Sequence, residues 1–233
     1  SVIRLAENGA LDTNFGAGGK LLVQVGPYAD EAQSVIVQPD GKLVLAGYSH
    51  TGTTWDYSLI RVDPNGALDP SFDGDGKLVV PVGSSDDRAS SVVVQPDGKI
   101  VLAGSSVNGG TWEFSAVRLD TNGVLDASFD GDGKLVVPVG SGDFAESVVV
   151  QPDGKLVLAG YSGNGANSID FSAIRLDANG VLDPSFGGDG KLIVPVGSSN
   201  DFAYDVVVQP DGKLVLAGFS VNGSSFDFSA ILL

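Results

Sequence analysis

The pentapeptide Gln-Pro-Asp-Gly-Lys begins at Gln38, Gln95, Gln151 and Gln209, at successive spacings of 57, 56 and 58 residues. A period of this length restricts the chain to architectures made by stacking one supersecondary unit on its own copies, since a single unit cannot bury its apolar face alone. Every copy continues into Leu/Ile-Val-Leu-Ala-Gly and then a variable loop. An aromatic-Ser-x-x-Arg segment, Asn-Gly-x-Leu-Asp-x-Ser-Phe and Gly-Lys-Leu complete the unit.

Within the second copy, four short apolar runs bounded by Gly, Pro, Asp and Asn predict four strands: A at Val92–Gln95, B at Lys99–Ser105, C at Phe114–Leu119 and D at Lys134–Val139. No segment carries a helical period. Pro-Asp-Gly suits a tight A–B turn, because Pro presets φ and Gly accepts a left-handed φ. Pro81, Pro138 and Pro195 fall in strand D, and proline cannot donate to a central ladder, so D is predicted to be a sheet edge. Two phases remain, A-B-C-D and D-A-B-C. The second gives four whole blades, approximately 20–62, 77–119, 134–176 and 191–233, in a single domain spanning 1–233. The expected fold is all-β: a four-bladed β-propeller with four antiparallel strands per blade and about 57 residues per repeat. Ser229–Leu233 matches Ser1–Leu5, so one C strand is redundant. Either it lies as an extra edge strand, which invites pairing with another chain and self-association there, or the chain is cut from a longer array.

The Gln-Pro-Asp-Gly-Lys-x-x-x-Ala-Gly core, the Ser-x-x-Arg-Leu strand and the Asn-Gly-x-Leu-Asp-x-Ser-Phe-x-x-Asp-Gly-Lys segment resemble the delta-60 repeat, a family of tandem arrays in bacterial, often exported, proteins. The resemblance covers nearly the whole chain and implies a propeller at an extracellular or cell-surface location. It departs at Leu232 in place of the strand-C Arg, at Ala17-Gly18-Gly19, and at Gly187.

Antiparallel connectivity puts the A–B and C–D loops on one rim and the B–C and D–A loops on the other. The first rim is nearly the same in every copy and the second carries the variation, so specific recognition is expected on the second. Charge sorts the same way: 12 basic and 17 acidic residues fall toward the constant rim, and 1 basic and 12 acidic residues toward the variable one. Arg88 is that single cation. The ligand-binding residues expected on the variable rim are Tyr28, His50, Trp55, Arg88, Trp112, Phe144 and Phe202. Trp55 and Trp112 share one position, filled by Ile169 and Phe226 in the other copies, which leaves packing and an exposed sugar platform as alternatives. The strand-C Arg is expected to pair with loop Asp residues such as Asp69 or Asp126 and lock the constant rim.

Asp30, Asp87, Asp143 and Asp201 each lie eight residues before a Gln-Pro-Asp-Gly-Lys. If strand A lines the axis, they form a ring of carboxylates suited to a hard cation, Ca²⁺, held by oxygen ligands. Alternatively each accepts backbone N–H bonds in its own turn. No organic cofactor is implied. A net charge of −16 opposes phosphate backbones, so nucleic acid is not an expected partner. No apolar run approaches the roughly 18 residues of a membrane helix, so no membrane insertion is expected. Without Cys, and without a Ser/His/Asp or His-pair spacing, no catalytic constellation stands out. The function expected is a non-enzymatic binding or spacer module that meets a glycan or protein through the acidic variable rim. The alternative is a carbohydrate-active enzyme, a hydrolase or lyase using rim carboxylates, although fourfold recurrence does not supply the one asymmetric pair such chemistry needs.

Overall fold

The computed structural model describes residues 1–165 and 168–233, and the elements are all strands. Sheet 1 comprises β3 (Asp30–Val37), β4 (Leu43–His50), β5 (Trp55–Val62) and β6 (Lys77–Val80). Sheet 2 comprises β7 (Asp87–Val94), β8 (Ile100–Asn108), β9 (Thr111–Leu119) and β10 (Lys134–Val137). Sheet 3 comprises β11 (Asp143–Val150), β12 (Leu156–Gly163), β13 (Ile169–Leu176) and β14 (Lys191–Val194). Sheet 4 has three strands, β15 (Asp201–Val208), β16 (Leu214–Asn222) and β17 (Ser225–Leu232), and β1 (Val2–Ile3) pairs with β2 (Lys20–Leu21). Every ladder is antiparallel.

The phase is therefore A-B-C-D, not the D-A-B-C expected from counting whole blades. The C–D loop folds back on its own C strand: Arg61 N–H donates to Gly76 O at 2.9 Å and Asp69 N–H to Arg61 O at 3.0 Å, which returns the chain alongside β5. Strand D is an edge as predicted, but it stops at Val80, Val137 and Val194, so the proline follows the strand and ends it. Strand A starts at Asp87, five residues before the apolar run that announced it. A β-bulge between Ala89 and Ser91 breaks the alternation there, and the same bulge recurs in β3, β11 and β15. At this bulge strand A comes so close to strand B that a Cβ on Gly104 would sit 2.0 Å from Arg88 O, which explains the Ala-Gly in every copy.

The sheets stack face to face in chain order. Val44, Ala46, Tyr57 and Leu59 of sheet 1 pack on Ala89, Val92, Leu102 and Val117 of sheet 2, and the same pairing joins sheets 2 and 3 and sheets 3 and 4. Strands β3, β7, β11 and β15 lie innermost and neighbour one another in succession. Their last valines, Val37, Val94, Val150 and Val208, line one apolar trough. Among the described residues β15 and β3 do not share the contacts that join each successive pair of these strands. The short β1–β2 pair stands in the place of a preceding blade, with Val2 and Leu21 packed on Leu45, Ile60 and Val62. Among the described residues no helix is long and apolar enough to cross a membrane.

Candidate functional site

The constant rim is locked by repeated ion-pair networks. Arg61 Nε donates to Asp69 at 2.8 Å and Arg118 Nε to Asp126 at 2.8 Å, while Lys42 and Lys99 reach the same carboxylates at 2.9 and 3.1 Å. Arg175, Asp183 and Lys155 repeat the arrangement. Each guanidinium also lies over the phenylalanine of its own C–D loop, 4.6 Å from Phe72 and 4.8 Å from Phe129. Arg61 and Arg118 then cross to the next unit, donating to the carbonyls of Thr121 and Ala178. Burial works against ionised Asp69 and Asp126, but the serine hydroxyls and N–H groups of Ser71 and Ser128, with the flanking cations, outweigh it and hold both carboxyls well below the usual range. The strand-C Arg is thus a structural tie, as its spacing predicts.

The variable rim has different chemistry. Asp87, Asp143 and Asp201 are fully buried and Asp30 half-buried. Each accepts two backbone N–H bonds from the turn before it: Val82 and Gly83 donate to Asp87 at 2.7 and 2.8 Å, and Val139 and Gly140 to Asp143 at 2.7 and 2.8 Å. Val25 and Gly26 do the same for Asp30, as Val196 and Gly197 do for Asp201. Burial pushes the Asp87 carboxyl up despite these donors. The expected carboxylate ring is resolved into four separate turn caps, and among the described residues no three His, Cys, Asp or Glu side chains are grouped to hold a metal ion. The innermost surface that the strands share is the valine trough instead. Asp73 and Asp75, with Asp130 and Asp132, are likewise turn residues: Asp75 and Asp132 each accept the N–H of the following lysine at 2.9 Å.

The seven residues expected to bind ligand, six rings and Arg88, fall on one connected line. Tyr28 meets His50 at 5.4 Å between centroids, His50 meets Trp55 at 5.1 Å, and Trp55 meets Tyr48 at 5.3 Å. Arg88 bridges to the next unit, its Cζ 5.7 Å from the Tyr48 ring and 5.3 Å from that of Trp112. Trp112 is 5.7 Å from Phe144, Phe144 5.3 Å from Tyr161, and Tyr161 4.9 Å from Phe202. Phe202 then stacks on Phe219 at 4.9 Å, and Phe219 meets Phe226 at 5.5 Å. The belt runs from sheet 1 to sheet 4, with Arg88 in place of a ring contact between Tyr48 and Trp112. Most of its rings are half-buried, so one surface of each is held by the scaffold and another meets solvent, while Tyr28, Arg88 and Phe226 are exposed.

Sequence reasoning missed Tyr48, Tyr161 and Phe219. All three follow the Ala-Gly of strand B, a position that reads as scaffold because its neighbours are constant. The available signal is that this residue varies, with Ser105 in the second copy. Carboxylates flank the belt from within. Tyr48 Oη donates to Glu31 at 2.8 Å. Glu146, at the bulge of β11, is pushed up by burial, and burial followed by the charge of Glu146 raises Tyr161 to about 12.

Residues 38–72, 95–129 and 151–186 match the model of a domain of unknown function described as DUF5122 beta-propeller. Three of the four repeats are thus similar to those of a β-propeller domain family. No curated protein matches the chain. Among solved structures, a protein of unknown function from Dyadobacter fermentans is similar in fold, with a TM-score of 0.54 at 15% identity over 85% of this chain and 51% of that one. A protein of unknown function from Bacteroides caccae matches with a TM-score of 0.49 at 12% identity over 86% of this chain and 60% of that one. A periplasmic gluconolactonase from Pseudomonas aeruginosa matches with a TM-score of 0.48 at 14% identity over 98% and 62%. The chain thus spans 51 to 62% of the length of these structures.

Proposed function

We propose that the chain is a non-enzymatic binding module of the delta-60 type from an exported bacterial protein, and that it seats a glycan chain along the aromatic belt of its variable rim. The observation that carries this reading is the succession of rings from Tyr28 to Phe226, joined through Arg88 between Tyr48 and Trp112 and placed on the rim where the repeats differ from one another. A pyranose ring presents an apolar C–H face that packs on a flat aromatic surface and an edge of hydroxyls that donates to carboxylates and carbonyls. A row of such surfaces backed by Glu31 and Glu146 matches several sugar units in line. The net charge of −16 makes neutral or amino-bearing sugars the better ligands and uronic-acid polymers the poorer ones. Asp30, Asp87, Asp143 and Asp201 are committed to capping turns, which favours binding over hydrolysis.

An oligosaccharide array followed by calorimetry tests this. Binding of a neutral or amino-sugar oligomer that weakens at least roughly tenfold in Trp112→Ala and Phe144→Ala, with no product formed, is the expected result. A ligand protein captured through the same residues would replace the glycan in this reading, and product formation lost on changing single rim carboxylates would replace binding with catalysis.

A further inference from the structure

We propose that the joint between sheets 3 and 4 is an organic-cation subsite of the belt, where Glu146 and Tyr161 hold the ammonium group of an amino-sugar unit. The inference deepens the glycan reading above and rests on it. Between sheets 1 and 2 the chain contains a filled version of the same arrangement. Tyr48 Oη donates to Glu31 at 2.8 Å, and the guanidinium of Arg88, carried by the next sheet, lies 5.7 Å from the Tyr48 ring. One tyrosine, one carboxylate and one cation answer one another there.

The joint between sheets 3 and 4 repeats two of these three parts. Tyr161 holds the position of Tyr48, each directly after the glycine of strand B. Its hydroxyl donates to the carboxylate of Glu146, at the bulge of β11. The residue that matches Arg88, one after the capping aspartate, is Phe202. Its ring lies 4.9 Å from that of Tyr161 and supplies a wall without a charge. Phe144 and Tyr204 add rings at 5.3 and 6.4 Å from Tyr161. Among the described residues Glu146 takes part in no ion pair. The joint between sheets 2 and 3 has neither part: Ser105 stands at the tyrosine position, where it accepts the N–H of Ala145 at 3.1 Å, and Ser90 stands at that of Glu146. The subsite therefore belongs to one place on the belt.

This donor set selects an organic cation. Burial pushes the Glu146 carboxyl up, so a cation brought beside it offsets the cost of the buried charge and keeps the group ionised. An ammonium is drawn both to the carboxylate and to the faces of aromatic rings, and its three N–H donors suit the carboxylate oxygens and the tyrosine hydroxyl. A hard metal ion needs six to eight oxygen ligands, which one carboxylate among rings does not supply. The flanking rings pack on the pyranose C–H faces of neighbouring units, so a cation carried on the sugar itself is the one the belt delivers to Glu146.

Calorimetry of the whole chain with a glucosamine oligomer and with the matching N-acetylglucosamine oligomer tests the subsite, at low ionic strength and about pH 6, where the amine is cationic. The glucosamine oligomer is expected to bind about tenfold more tightly. Glu146→Gln, with an unchanged circular dichroism spectrum, is expected to bring that ratio to about one. Phe202→Arg, which installs the cation that the joint between sheets 1 and 2 carries, is expected to do the same with Glu146 in place. Glu113→Gln removes a rim carboxylate outside the subsite and is expected to leave the ratio at about tenfold, which separates a local site from the general negative field. Equal affinity of the native chain for the two oligomers, or a ratio that Glu146→Gln leaves at tenfold, would overturn the subsite while the glycan reading stands. Binding of neither oligomer would overturn both.

Discussion

At the scale of single residues, two kinds of aspartate do different work. Asp69, Asp126 and Asp183 anchor the Arg-Lys networks of the constant rim, and Arg118 is 2% exposed. Truncating Arg118 to Ala leaves Asp126 facing a buried void and is expected to cost about 3 kcal/mol in a denaturant melt. The Asp126 carboxyl is depressed below its unfolded value, so its contribution is present above the usual carboxylate range and is lost as pH falls toward the folded value. The stability gap between the native chain and Asp126→Asn should accordingly be full at pH 7 and shrink on acidification below about pH 4. A gap that grew on acidification would contradict the assignment. Asp143 is a cap for two N–H groups, and Asp143→Asn is expected to cost about 2 kcal/mol. A chelator should leave the melting curve where it was, because the cap needs no cation. A chelator-induced fall in melting temperature would restore the Ca²⁺ site.

At the scale of the element, legibility followed periodicity. The period, the all-β character, the A–B turn and the edge position of strand D were readable because each rests on local chemistry: apolar runs, Pro-Asp-Gly and proline. The start of strand A was not, because Asp87–Ser91 is polar and a bulge breaks its alternation. The phase was not, because A-B-C-D and D-A-B-C use the same strands and differ only in how the C–D loop folds back through Arg61 and Gly76. The belt was half legible. Its loop and strand-start members stood out by variation, while Tyr48, Tyr161 and Phe219 were hidden beside a constant Ala-Gly. One consequence can be measured directly: Phe114→Ala, in the middle of a joint between sheets, is expected to cost about 3 to 5 kcal/mol. Phe228→Ala in dilute protein should change stability by no more than about 0.5 kcal/mol. Equal costs at the two positions would mean that sheet 4 is covered within the chain.

At the scale of the whole molecule, repetition separates scaffold from function. The constant rim spends its charges on ties between successive units: Lys134 Nζ donates to Pro81 O at 2.8 Å and Lys191 Nζ to Pro138 O at 2.7 Å, alongside the Arg bridges. The variable rim, relieved of that task, carries the aromatic belt and most of the negative excess. Both tryptophans of the chain, Trp55 and Trp112, lie on this belt, so their emission reports its occupancy directly. Titrating the chain with a neutral or amino-sugar oligosaccharide while following tryptophan fluorescence should give a saturable change, which Phe144→Ala weakens and a uronic-acid oligomer does not reproduce. Oligosaccharide binding by calorimetry with unaltered tryptophan emission, or no binding of any such sugar at millimolar concentration, would contradict a glycan site on the belt.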